Sequence, residues 1–322
     1  MAYTKLTPRF TRDAHVEEIS RGSAYRLSIP TGKADQYRLA QLDDYTQVPR
    51  SRFPLHFPLS LSLSARTSSD SIAGTWGFGL WNDPFGLSLG FGGNPFRLPA
   101  LPNAIWFFGA SKESYLSFKD PRAERHKVET KRGLQTKSLF HNSNSTGNRA
   151  SSTGVATNAP SSAPPSGTSQ REQIAANGFI AQTFRAPKFH PLLMLAGLAF
   201  PFSRKLTRWI LGKVIDEVGV QLWSQGAGSR NFQQQAVRVQ SLSVDPTQWH
   251  RYKLDWHERR VSFEVDDVQV FESHVSPNPP LGLVIWLDNQ YAAFTPEGKI
   301  GFGVLENTEP AWLEIRELEI AG

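Results

Sequence analysis

From residue 236 to its end the chain reads as a row of short β-strands. They are WHRYKLDW (249–256), VSFEVDDVQVF (261–271), LGLVIWLDNQ (281–290), KIGFGVL (299–305) and AWLEIRELEI (311–320), with turn residues between them. Apolar and polar residues alternating at every second position mark a pleated strand with one face buried. Val261, Phe263 and Val265 alternate in this way with Ser262 and Glu264, and Asp266-Asp267 then falls where a tight hairpin turn belongs. The segment LSLSLSAR (59–66) is plainer still: Leu59, Leu61, Leu63 and Ala65 take one face, and Ser60, Ser62, Ser64 and Arg66 the other. Short alternating runs broken by Gly and Pro also fill residues 23–118, and together they predict an all-β sandwich or barrel.

Composition narrows the chemistry. There are 9 Trp and 21 Phe, ample material for a core or for a platform that stacks on sugar rings, and no Cys. Disulfides, thiolate nucleophiles and sulfur-ligated zinc are therefore excluded. The N-terminal MAYTKLTPRFTRDAHVEEIS lacks the apolar core of a secretory signal. No apolar run approaches the roughly 20 residues of a membrane-spanning helix. The sequence is expected to belong to a soluble, cytoplasmic protein.

Charge is uneven. Residues 240–322 hold 6 Lys/Arg against 14 Asp/Glu, a balance of −8, so a net of +6 leaves +14 on the first 239 residues. The excess is concentrated at 119–137, with 7 basic and 3 acidic residues, and at 185–213, with 6 basic and none acidic. Basic patches steer anionic partners, or simply form a solvated face. No helix-turn-helix, RNP or zinc-finger pattern is present, so nucleic acid is not an expected partner.

The pattern divides the chain into a polar N-terminal arm (1–22), a first part of the sandwich (23–120), a low-complexity insertion (121–175), a helical insertion (176–235) and a second part of the sandwich (236–322). Within 121–175 the Ser-, Thr-, Asn- and Pro-rich run at 138–172 offers little to bury against the entropy of ordering, and it is expected to be disordered. Residues 190–223 suggest a pair of apolar helices. Pro201 breaks the first, Ser203 is placed to cap the second, and Leu206, Ile210, Val214 and Val218 recur every four residues. Such a pair packs on a sheet. Alternatively it lies on an anionic membrane surface through Arg204, Lys205, Arg208 and Lys213.

LSLSLSAR, GTWGFGLWND (74–83) and PNAIWFFG (102–109) together resemble the cleft entry of the family 16 glycoside hydrolases, which share the concanavalin A-like sandwich. Trp249-His250-Arg251-Tyr252 and Val265-Asp266-Asp267 are similar to two further strands of that family, with Asp267 where Gly is usual. The resemblance implies a concanavalin A-like antiparallel β-sandwich (jelly roll) with a sugar-binding cleft. It also implies a strand bearing Glu-x-Asp-x-Glu on the cleft face. Here that strand offers Ala104, Trp106 and Phe108, and 102–110 contains no Asp or Glu in any register; the nearest is Glu113, in a turn-like segment. A retaining glycosidase needs one carboxylate to attack the anomeric carbon and another to protonate the leaving oxygen. The ordinary chemistry of the family is thus not expected.

What remains in the implied cleft is two Trp-led polar clusters, Trp81-Asn82-Asp83-Pro84 and Trp286-Leu287-Asp288-Asn289-Gln290. Indole faces stack on pyranose rings, and Asp and Asn side chains hold hydroxyls. Trp81, Asn82, Asp83, Trp286, Asp288 and Asn289 are therefore the expected ligand contacts, with Trp106 as an apolar floor and Asp43-Asp44-Tyr45 and Arg66 as possible neighbours. The competing reading makes each Trp core and each Asp or Asn a turn residue. If chemistry survives, Asp83 and Asp288 are the atypical candidates, acting from different strands. The expected partner is a carbohydrate or small polar ligand. No metal site or cofactor is indicated: the eight His are scattered, and the glycine-rich 77–93 lacks the Lys-Ser/Thr of a phosphate loop. Asp43-Asp44 and Asp266-Asp267 fit turns as well as calcium.

Overall fold

A computed structural model of the chain describes residues 6–11, 13–84, 100–114, 178–187, 214–223, 244–294 and 300–322. The sequence expectations for 121–175, including the disordered run, and for most of the helical pair lie outside these residues. All described elements belong to one unit, formed by Met1–Lys119 and Gln173–Gly322.

Sixteen strands are described. The first half of the chain gives β1 (Thr7–Phe10), β2 (His15–Ser20), β3 (Ala24–Ile29), β4 (Leu39–Asp43), β5 (Leu59–Thr67), β6 (Thr75–Trp81) and β7 (Ala104–Ala110). Then come β8 (Gly178–Arg185), β9 (Asp216–Trp223), β10 (His250–His257), β11 (Arg260–Val265) and β12 (Val268–Ser273). The series ends with β13 (Gly282–Asp288), β14 (Gln290–Phe294), β15 (Ile300–Val304) and β16 (Ala311–Ala321). Fourteen of them form two antiparallel seven-stranded sheets, ordered β1-β4-β13-β6-β7-β8-β9 and β12-β11-β10-β5-β16-β3-β2, while β14 and β15 make a separate ribbon.

The two sheets pack face to face. Alternation dictates the seam: Leu59, Leu61, Leu63 and Ala65 of β5 meet Phe78 of β6 and Phe107 of β7 in one buried cluster. Tyr252 of the second sheet lies 5.0 Å, ring centre to ring centre, from both Phe78 and Phe107, and Phe263 lies 5.3 Å from Phe107. These aromatic contacts cross the sandwich and fix which face of each sheet is inner.

Three expectations are corrected. The polar arm at 1–22 contains β1 and β2, which close the edges of the two sheets. They read as an arm because an edge strand such as β2 exposes most of its residues on both faces. The region 176–235 contains two strands, β8 and β9, and Val218, expected on a helix, lies in β9 with its side chain in the seam. And β5, expected at the cleft entry, lies in the middle of the second sheet, so the Ser face and Arg66 point away from the first sheet altogether.

The β11–β12 turn is as expected. Asp266 and Asp267 have φ of 50° and 62°, the left-handed pair that a two-residue hairpin of matching twist demands. Asp266 also accepts hydrogen bonds from the Arg251 N–H (2.9 Å) and shares one with His250 Nδ1 (2.6 Å). Asp267 carries the left-handed cost without those bonds. We therefore expect Asp267→Gly to stabilise the fold by about 0.5–1 kcal/mol, measured by urea denaturation. A loss of stability would show that the Asp267 side chain has a role of its own.

Candidate functional site

The face of the first sheet turned away from the seam is where the implied cleft would lie. On β7 alternation sends Ile105 and Phe107 into the seam and Ala104, Trp106, Phe108 and Ala110 onto this outer face. Register then sets their neighbours. Trp106 lies between Gly79 of β6 and Gln182 of β8, and Trp286 of β13 lies opposite Gly77. A Cβ on Gly77 would come within 2.7 Å of the Trp286 ring and 2.4 Å of the Phe107 carbonyl oxygen. Glycine here lets the indole lie down on the strand.

Three of the expected contacts converge. Trp81 and Trp286 are parallel, 2° apart in plane, with ring centres 6.2 Å apart. Trp106 meets Trp286 at 5.8 Å and Trp81 at 6.2 Å. Phe108 and Phe184 extend the cluster, each 5.6 Å from Trp106. The cluster is mostly shielded: Trp106 is 2 % and Trp286 7 % exposed, whereas Trp81 is half-buried.

Each deep indole is anchored by a polar chain. Trp106 Nε1 donates to Gln182 Oε1 (3.3 Å), and Gln182 Nε2 donates to Glu217 Oε1 (3.0 Å). Glu217, on β9, is a carboxylate 1 % exposed, linked through Gln182 to the outer face that bears Trp106 and two strands away from β7. Trp286 Nε1 donates to the Thr75 hydroxyl (3.0 Å), which donates in turn to Asp288 Oδ1 (2.7 Å). The Thr75 and Gln290 N–H groups reach the same oxygen, and the Tyr37 hydroxyl donates to Oδ2 at 3.3 Å. Burial pushes the Asp288 carboxyl up to about 6, against the pull of these donors. Tyr37 is raised well above its usual range by its own burial and by the Asp288 charge.

The remaining expected contacts serve the backbone. Asn82 Nδ2 donates to Leu101 O (2.9 Å), and its Oδ1 accepts from Asn103 N–H (3.0 Å). Asp83 holds a left-handed turn at φ 46°, with the Arg50 guanidinium donating to the carbonyl oxygens of Asn82 and Asp83. Asn289 is fully committed: its Oδ1 accepts from Arg38 N–H (2.8 Å), and its Nδ2 donates to Gln36 O and Leu305 O (3.0 and 2.9 Å). Asp43 accepts from Tyr45 N–H, Thr46 N–H, the Thr46 hydroxyl and Gln41 Nε2, a closed turn. Asp44 is pushed up to about 7, chiefly by burial and also by the Asp43 charge, while the Leu283 N–H opposes the shift. Tyr45 joins the cluster, 6.2 Å from Trp81. Glu113 lies in the turn after β7, 4.0 Å from Lys112.

Two assignments fail on geometry. Arg66 lies on the outer face of the opposite sheet, paired with Glu314 at 2.8 Å. Asp83 and Asp288 cannot act together, because Asp288 is opposite Thr75 at one end of β6 and Asp83 follows Trp81 at the other. Six residues of strand separate Thr75 from Trp81, roughly 20 Å at about 3.3 Å each. A glycosidase pair spans about 5–9.5 Å.

Comparison with known proteins agrees with the resemblance. The model of glycosyl hydrolases family 16 matches residues 210–279, the stretch that holds β9 to β12. Solved structures similar to this chain include a family 16 endo-glucanase from Bacteroides ovatus in complex with G4G3G-2F-DNP. It is 9% identical with a TM-score of 0.41, covering 100% of this chain and 96% of that one. The Bacillus licheniformis β-glucanase is 9% identical, TM-score 0.40, covering 95% of this chain and 82% of its own. LamAcat from Zobellia galactanivorans is 12% identical, TM-score 0.39, covering 94% and 78%. No curated protein matches. The chain thus resembles the family 16 glycoside hydrolases; β7, which lies outside the matched stretch, bears no carboxylate.

Proposed function

We propose that the chain is a non-catalytic carbohydrate-binding protein built on a family-16-like sandwich, with its ligand held at the outer face of the first sheet. One observation carries this reading: indoles from β6, β7 and β13 converge on that face, where β7 itself bears no carboxylate. Trp106 and Trp286 are too buried to meet a sugar directly, and they back Trp81, whose half-buried ring is the surface offered to a pyranose.

Glu217 favours a second reading, an atypical hydrolase. Its carboxylate would need a partner within about 5–9.5 Å. Among the described residues Asp83 follows β6, three strand steps or about 14 Å from β9, and Asp43 on β4 and Asp288 on β13 share the face, five and four steps away. At about 4.8 Å per step these last two lie roughly 20 Å or more away along the sheet.

A glycan array probed with the full chain should show binding that Trp81→Ala abolishes and that Trp81→Phe partly restores. Both variants should keep a cooperative melt. Equal binding by the parent and Trp81→Ala would remove the ligand from this face. Incubation with β-1,3/1,4-glucan, agarose, carrageenan or xyloglucan should release no reducing sugar. Turnover that Glu217→Gln abolishes would establish the hydrolase instead.

A further inference from the structure

The outer face of the second sheet carries an aromatic and guanidinium array that the site above does not use. Arg66 of β5 lies over two indoles at once, 4.8 Å from the ring centre of Trp249 and 5.4 Å from that of Trp312. Arg316 of β16 takes the other place on Trp249 at 4.2 Å, and Arg26 of β3 the other place on Trp312 at 4.8 Å. Glu314 sits between Arg66 and Arg26, 2.8 and 3.4 Å from their nitrogens. Neither indole belongs to the seam, and both remain half-exposed. Indole and arginine are the side chains most enriched where surfaces bind something, and stacking holds these guanidiniums in place before any ligand arrives.

Two residues further along β5, about 7 Å away, register brings Ser64 between Arg251 of β10 and Arg316. Here β16 departs from regular pairing. The register shifts between Arg316 and Glu319, and Glu317 takes φ of 56°, a left-handed conformation unusual for a residue with a side chain. The bulge opens a groove of about 250 Å³ lined by Leu63, Ser64, Arg251, Glu317 and Glu319. The Ser64 hydroxyl donates to Glu317 Oε2 at 2.8 Å. That volume lies just under the roughly 300–1,000 Å³ of ordinary small-molecule sites, which suits a single ring of a longer chain.

Charge decides among occupants. Each guanidinium of the array has a carboxylate beside it: Glu17 is opposite Arg26, Glu314 bridges Arg26 and Arg66, Glu317 lies 4.0 Å from Arg316, and Glu319 shares the groove with Arg251. A balanced field gives a polyanion no net attraction. It does give closely spaced donors and acceptors beside two indoles, which is the chemistry that recognises vicinal hydroxyls on an uncharged sugar. We propose that this face is a second binding surface for a neutral oligosaccharide or polysaccharide, with one ring seated in the groove and the chain running along the guanidiniums that Trp249 and Trp312 hold in place. The surface stands independently of the Trp81 site on the opposite sheet.

The test is affinity electrophoresis of the full chain through gels containing laminarin, β-1,3/1,4-glucan, xyloglucan or galactan, with dextran sulfate as the charged control, at low and high salt. At least one neutral polymer should retard the protein equally at both salts. Arg251→Ala and Glu319→Gln, both at exposed positions, should weaken that retardation by about tenfold or more with an unchanged melt, and Trp249→Ala should abolish it. Trp81→Ala should leave retardation through this face in place. The proposal is overturned if no neutral polymer retards the chain, or if only dextran sulfate does so and salt removes the effect. It is equally overturned if Trp81→Ala removes all retardation while the Arg251 and Glu319 variants keep it, since binding would then belong to the other sheet. Self-association that these variants abolish, without glycan retardation, would make the face a protein interface instead.

Discussion

Trp106→Ala should lower the stability of the chain by about 3–5 kcal/mol, the range for emptying a large buried aromatic site. The indole is 2 % exposed and touches the rings of Trp81, Phe108, Phe184 and Trp286. Its removal also strips the donor from Gln182 Oε1, in a side chain that is 1 % exposed and already committed to Glu217 through its amide. In a chain of this size the midpoint of thermal unfolding should fall by on the order of 10 °C. Trp106→Phe keeps most of the apolar contact and loses only the hydrogen bond, so it should cost far less. Calorimetry on the three proteins separates the two contributions. A melting point unchanged in Trp106→Ala would mean that the outer face of the first sheet is not a packed layer. The indoles would then be free to serve a ligand directly.

That packed layer explains how much of the site could be read in advance. Trp81, Trp106 and Trp286 were legible because each sits in a short alternating strand whose faces follow from parity alone. Parity does not say which sheet a strand joins. LSLSLSAR shows its two faces plainly, yet only its pairing with β10 and β16 places Arg66 on the far side of the molecule from Trp81. Nor does parity give register. The separation of Asp83 from Asp288 depends on β6 pairing with a strand some 200 residues later, and nothing local encodes that alignment. Gln182 and Glu217 were hidden for a different reason. FIAQTFR and DEVGVQLW flank an apolar stretch whose four-residue spacing of Leu206, Ile210, Val214 and Val218 suggests a helix, and that spacing captured Val218 for the wrong element. The signal that recovers them is the alternation of Phe179, Ala181 and Thr183 with Ile180, Gln182 and Phe184. It makes a strand of β8, and an antiparallel neighbour then follows.

Asp288→Asn should raise stability at pH 8 and change it little at pH 4. The carboxyl is 6 % exposed and burial moves it from the ordinary 3.8 to about 6 in the folded chain. A group whose folded value is raised binds its proton more tightly when folded. Its contribution is therefore fully present below about pH 3.8 and is lost as pH rises through about 6. The difference corresponds to about 3 kcal/mol, borne in full above pH 7. Asparagine keeps an acceptor for the Thr75 and Gln290 N–H groups and for the Thr75 hydroxyl, and it brings no charge into the site. It also turns a donor toward Tyr37, whose hydroxyl can accept instead of donate. Asp44, raised to about 7 chiefly by its own burial, acts in the same direction on the other side of β13, so the two carboxyls should cost the parent chain stability from about pH 4 to about pH 7. In Asp288→Asn that slope should flatten across pH 4–6 and persist across pH 6–7, where Asp44 still titrates. Urea melts at four pH values resolve the two segments. A parallel shift of the whole curve would show that the Asp288 charge is already satisfied by its donors, and that the variant acts through packing alone.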